Sequence, residues 1–168
     1  VAPADLLQVY MGCVLAAGIG QPPARQATLG AGCPESTGAI TFNKVCGSAM
    51  RAVMSAANDL RCGDFSLVAA GGMESMSNVP YLLPQARWGA RMGDSPMLDF
   101  VVGALHDPFH KIHMGITAEN VGEQFGISRT QMDELAVESH RRAAAAIAEG
   151  RFKSQIVPVV IASKKGDV

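Results

Sequence analysis

Residues 43–60 read NKVCGSAMRAVMSAANDL. Asn43 and Lys44 lead through Val45 to Cys46, two small residues follow, and then comes a run rich in alanine and methionine. From Ser48 to Arg61 the apolar positions Met50, Val53, Met54, Ala57 and Leu60 form a wide surface, while Arg51, Ser55, Asn58 and Asp59 share one narrow stripe. That spacing predicts a mostly buried helix. The residues just before, AITFNKV (39–45), read as an apolar strand. Cys46 therefore falls where a strand turns into a helix.

The surroundings extend the same rhythm. LLQVYMGCVLA (6–16) is an apolar, β-branched run bounded by Gly18 and Gly20, and predicts a buried strand. PPARQATLGAG predicts a short helix, with prolines at its start and glycines at its end. Cys62-Gly63-Asp64 ends the helix that follows Cys46, and SLVAAGG predicts a third strand, apolar throughout as parallel strands covered on both faces are. Strand, helix, strand, helix, strand is the order of an α/β layered domain.

From Met73 the pattern loses its period over more than 40 residues and four prolines, a length expected of a functional or oligomeric excursion. TAENVGEQFG follows as a helix with Thr117 as its expected cap. SRTQMDELAVESHRRAAAAIAEG predicts a longer helix, opened by a Ser128/Gln131 capping box and closed at Gly150, with Met132, Leu135, Ala136, Ala143 and Ile147 on one face. QIVPVVIA is expected as a last strand, at an edge or irregular because of Pro158.

Composition narrows the possible functions. The 168 residues are 48% hydrophobic with a formal net charge of −1, enough apolar material for a core and no basic stripe for nucleic acid. No apolar run reaches the ~20 residues of a membrane span, and no signal-peptide series is evident. Cys13, Cys33, Cys46 and Cys62 are scattered, without the close pair of a zinc or redox motif. The expectation is a cytoplasmic setting, no membrane and no nucleic-acid partner. The chain begins without Met inside a structured pattern and stops just past an apolar strand, so it is expected to be part of a longer protein.

The thiolate is the reactive form of cysteine, and a free pKa of ~8.5 leaves little of it at neutral pH. A helix N-terminus offers roughly half a positive charge and outward N–H groups, which favour an anion and an oxyanion beside it. Gly47 and Ser48 leave room for a substrate to approach. The layout follows the strand–nucleophile–helix logic of the hydrolase elbow, with sulfur in place of oxygen. Position alone leaves a second reading open, in which Cys46 is one more small packing residue.

NKVCGSAMRAV, AAGGMESMS and HMGITAENV together resemble the thiolases, the acetyl-CoA acetyltransferase and 3-ketoacyl-CoA thiolase family. Their nucleophile segment reads N-[KR]-x-C-G-S-G-[ML]-x-A, matched here by Asn43, Lys44, Cys46, Gly47, Ser48, Met50 and Ala52. AGIGQPPARQA and GRFKSQIVPV add two further matches in family order. Ala49 stands where Gly is usual, and Pro22 where Asn is. The family's G-H-P, N-E-A-F and C-x-G-G segments, which carry the activating His, a water-positioning Asn and a second, acid/base Cys, are not found in these residues. The resemblance implies a thiolase-like α/β fold: residues 1–76 a partial N-terminal domain with the nucleophile, 77–153 a loop domain over the active site, and 154–168 a closing strand region.

It also implies the chemistry. Cys46 would accept an acyl group from an acyl-CoA, and a second acetyl-CoA would attack it in a reversible Claisen condensation. Coenzyme A thioesters are the substrates, and no cofactor is implied. These residues alone are expected to be inert. By resemblance Leu105, His113 and Met114 approach the thioester and pantetheine, and the excursion around ARWGARMGD serves homodimer or homotetramer contacts. His106, His110 and His113 have spacings that invite a metal, but Pro108 interrupts the helix needed and no metal site is expected. Glu74 reads as a turn-bridging carboxylate. Two alternatives stand beside this reading: a ketoacyl-synthase-type condensing enzyme, against which HMGITAENV argues, and a non-catalytic assembly fragment.

Overall fold

The computed structural model describes residues 1–161. Among them lie two compact units, Val1–Met114 and a second from Gly115 onward.

The first unit is built on a parallel three-stranded sheet in the order β2-β1-β3: β1 Gln8–Gly12, β2 Gly38–Phe42 and β3 Val68–Gly72. Gln8 of β1 aligns with Gly38 and Val68, and Gly12 with Phe42 and Gly72, so all three strands end level. Helix α1, Pro23–Gly30, links β1 to β2, and α2, Ser48–Cys62, crosses from β2 over β1 to β3. Side chains alternate across a strand. Tyr10 of β1 packs with Ala52 and Ala56 of α2, joined by Phe42 and Val68. On β2, Thr41 points the other way and its Oγ1 accepts the Ala24 N–H of α1 at 3.0 Å. Tyr10 also stacks on Phe42 at 6.1 Å and donates its hydroxyl to Asp59 of α2.

The buried stripe of α2 is narrower than its sequence suggests. Ser48, Ala52 and Ala56, four residues apart, are the buried positions, while Met50, Val53 and Met54 are at least half exposed. The correction has a physical reason: the helix rests on the sheet through its smallest side chains, which allow the closest approach, and its bulky apolar residues lie on the opposite side. Gly63 ends the helix in the left-handed conformation (φ 81°), a role that suits a residue without a Cβ.

The aperiodic excursion contains a short antiparallel pair, β4 Tyr81–Leu82 with β5 Leu98–Asp99, and helix α3, Phe100–Ala104. Asp99 caps α3, accepting the N–H groups of Val101 at 2.8 Å and Val102 at 3.2 Å. In the second unit, α4 spans Met114–Gln124 and α5 Arg129–Ala148. α4 begins three residues before Thr117, which is therefore interior to the helix and not its cap. The expected capping box is present: Ser128 Oγ accepts the Gln131 N–H, and Gln131 Oε1 accepts the Ser128 N–H at 2.8 Å. Ala146 is the buried residue of α5, while Leu135 and Ile147 of its expected apolar face are largely exposed. Residues 156–161 form no strand, since none of the described residues supplies a ladder there; Ala162 and the Lys164/Lys165 pair lie outside the described residues.

Candidate active site

The site is assembled at the carboxyl ends of the parallel strands, where sheets of this type leave a crevice. Gly12 ends β1, Gly72 ends β3, and the turn after β2 carries Val45 and Cys46. A cavity of about 450 Å³ opens there, walled chiefly by apolar groups: Val14, Leu15, Met73, Met76, Val101 and Leu105. Cys46 and Ala49 face it from the entry to α2.

Two glycines let α2 come so close. A Cβ on Gly12 would stand 2.5 Å from the Ala49 nitrogen, and one on Gly72 would stand 2.8 Å from the Ala49 Cβ. The Ala49 methyl, which replaces the family's usual glycine, is thus accommodated against a residue that has no side chain of its own.

The turn that carries the cysteine is held tightly. Val45 adopts φ 48°, a left-handed conformation that for a β-branched residue costs on the order of 1–3 kcal/mol. Its N–H donates to Asn43 Oδ1 at 3.1 Å, and its carbonyl accepts from Ser48 Oγ at 2.6 Å and Ser48 N at 3.1 Å. Ser48 Oγ in turn accepts the Lys44 N–H at 2.9 Å. Gly47 precedes the first helical residue, so Cys46 sits at the N-terminal mouth of α2. Its side chain is exposed, as is that of Cys62, whereas Cys13 and Cys33 are buried.

Glu74 bridges, as its sequence position suggests. Its carboxylate accepts the N–H groups of Val14 at 3.0 Å and Leu15 at 2.9 Å, and lies 3.6 Å from Cys13 Sγ. Burial first, and the neighbouring Glu74 charge second, push the Cys13 thiol up from its ordinary value, which keeps it protonated and unreactive. Among the described residues, Glu74 is the one titratable group besides Cys46 that lines the cavity, and it is already committed to backbone amides.

Of the residues singled out from sequence, the structure brings Cys46 and Leu105 to the same cavity. His113 and Met114 lie beside that wall but do not form it. The Met114 N–H donates to the Leu105 carbonyl at 2.9 Å, and the His113 ring packs edge-on against His106 at 5.3 Å. His110 instead pairs with Asp107, whose carboxyl is held below its usual range by the Phe109 N–H first and by His110 next. Among the described residues no group of three metal-ligating side chains is gathered in one place. Asp99, Val101 and Ala104 escaped the sequence reading, although an Asp directly before an apolar run is a helix-start signal. Asn43 and Ser48 stood out in the sequence as part of the nucleophile motif, but nothing in their spacing signalled that they clamp Val45.

Comparison with known proteins agrees with this geometry. Residues 1–168 match the family described as thiolase, N-terminal domain. The chain is 56% identical over 144 residues to the beta-ketothiolase BktB of Cupriavidus necator, covering 86% of this chain and 36% of that protein. It is 51% identical over 168 residues to an acetyl-CoA acetyltransferase of the same organism, covering 99% of this chain and 43% of that protein. The crystal structure of the Bacillus anthracis acetyl-CoA acetyltransferase superposes with a TM-score of 0.92 at 41% identity, over 100% of this chain and 43% of that one. The chain thus spans less than half the length of these relatives. The ketoacyl-synthase alternative gives way to these matches: the chain belongs to the thiolase family and has the fold of its N-terminal domain.

Proposed function

We propose that the protein carrying this chain is an acyl-CoA acyltransferase that condenses acetyl-CoA with an acyl-CoA, or thiolytically cleaves a 3-ketoacyl-CoA, through an acyl group held on Cys46. The observation that carries the reading is the placement of an exposed thiol at the mouth of α2, facing an apolar cavity. In the first half-reaction Cys46 sulfur bonds to the thioester carbonyl, the carbon–sulfur bond to CoA breaks, and CoA leaves as a thiol after taking up a proton. In the second, the α-carbon of acetyl-CoA, relieved of a proton, bonds to the acyl carbonyl and Cys46 is released. Dividing one difficult condensation into two acyl transfers is the benefit of covalent catalysis. Backbone N–H groups at a helix mouth suit the oxyanion of each tetrahedral intermediate.

Apolar walls from Leu15, Val101, Ala104 and Leu105 suit an uncharged acyl and pantetheine arm. His113 and Met114, adjoining Leu105, are proposed to contact the same arm. No free base lines the cavity among the described residues, which supports the reading that these 168 residues alone are inert and that the complete protein supplies the base. A cytoplasmic location is proposed with it; a mouse relative 47% identical to this chain is described as cytosolic. Oligomer contacts through the excursion that carries Trp88 and Met92, both highly exposed, belong to the same proposal.

The deciding experiment is Cys46→Ser in the complete protein, assayed by acetoacetyl-CoA thiolysis. The expected loss is on the order of 10⁴-fold or more. Undiminished cleavage by that variant would end the proposal.

A further inference from the structure

We propose that Ser48, assisted by Asn43, is a positioning residue for Cys46, acting by clamping Val45 in the left-handed conformation that aims the thiol into the cavity. The inference rests on the nucleophilic role given to Cys46 above, and its evidence is the geometry of the turn.

Val45 is β-branched, and such residues avoid positive φ because the Cβ crowds the backbone. At φ 48° the turn is not one that this residue chooses. Both polar groups of Val45 are tied down. The N–H donates to Asn43 Oδ1, and the carbonyl accepts from the Ser48 hydroxyl and the Ser48 amide. The same hydroxyl accepts the Lys44 N–H, so one side chain ties the amide of the preceding residue to the carbonyl of the strained one.

Ser48 is 4% exposed, so water does not compete for these bonds. Its hydroxyl has one proton, used on Val45, and receives one, from Lys44; both fall within the turn. Cys46 is the next residue along, and the direction of its Cα–Cβ bond follows from the backbone angles at Val45. Without the hydroxyl, Lys44 N–H loses its partner, and relaxation of Val45 to negative φ swings the thiol off the cavity mouth.

The test uses the complete protein, with thiolysis kinetics and mass-spectrometric rates of Cys46 alkylation by iodoacetamide. Ser48→Ala is expected to lower both kcat and the alkylation rate by roughly 10- to 100-fold, the scale of a misplacement of about 1 Å, with KM altered less than about threefold. Glycine takes positive φ without steric cost. In a Val45→Gly background, adding Ser48→Ala is therefore expected to lower either rate less than about threefold. Should Ser48→Ala not fold, Asn43→Ala, which removes the exposed bond to the Val45 N–H and the long 3.4 Å bond from Asn43 Nδ2 to the Val14 carbonyl, is expected to show a smaller loss, with the part due to Val45 relieved by Val45→Gly. An unchanged rate in these variants, or an equal loss in both backgrounds, overturns the clamp. Cys46→Ala separates the two ideas: if it retains thiolysis the nucleophile reading fails, and the clamp is then decided by the alkylation rates of the other variants.

Discussion

Gly72→Ala tests how the sheet seats the helix beneath the cysteine. The added Cβ would meet Ala49 Cβ at 2.8 Å, while its next neighbours, Gly12 O and Ala49 Cα, stand at 3.6 and 3.8 Å, already in ordinary contact. Only the first distance has to open, from 2.8 to about 3.4 Å, a shift of about 0.6 Å. Overpacking of this kind costs ~1–3 kcal/mol. Ala49→Gly by itself costs at most ~1 kcal/mol, as a loss of helix propensity. In the double variant the obstructing methyl is gone, and the cost of Gly72→Ala is expected to fall below ~0.5 kcal/mol, a coupling well within the range seen for touching residues. Gly12→Ala supplies the contrast. Its Cβ would meet Ala49 N at 2.5 Å and the Ser48 carbonyl carbon at 2.7 Å, both backbone atoms that Ala49→Gly leaves in place. Urea-unfolding midpoints of the wild type and the five single and double variants measure the two cycles. Equal costs of Gly72→Ala with and without Ala49, or relief of Gly12→Ala by Ala49→Gly, would refute the close-packing account of the site.

Two further outcomes follow from other parts of the molecule. The Tyr10 phenol is pushed up to about 12, by burial first and by Asp59 next. A folded-state value above the ordinary one near ~10 stabilises the fold below about pH 10, and that contribution is lost as pH rises towards 12; the gap is worth roughly 2–3 kcal/mol. The stability advantage of the wild type over Tyr10→Phe, read from urea midpoints between pH 9 and 11.5, should shrink with alkalinity; a constant difference contradicts the assignment. Ser128→Ala breaks the capping box of α5 and should cost ~1 kcal/mol, seen as faster amide hydrogen exchange in the first turn of α5 and not in α2.

Much of this was legible before any fold was known, for an identifiable reason. The βαβ order, the Ser128/Gln131 box and the Gly63 stop arise from residues within a few positions of one another, where periodicity and capping act. The placement of Cys46 between strand and helix belongs to the same class. The exposure of Met50, Val53 and Met54 does not, because apolar spacing marks every apolar position of a helix without saying which rests on the sheet.

The amino-acid sequence by itself determined the alternation of strands and helices, the seat of the cysteine at a helix mouth, and the family to which these motifs belong. The tertiary structure alone decided that Val101 and Leu105 wall a cavity with Cys46, that Gly12 and Gly72 admit the first turn of α2, and that Val45 is held at positive φ. Local backbone preference acts over a turn or two, and even disfavours the conformation of Val45. Cavity walls and close approaches join residues more than 90 positions apart, and these exist only once the parallel strands have been brought into register.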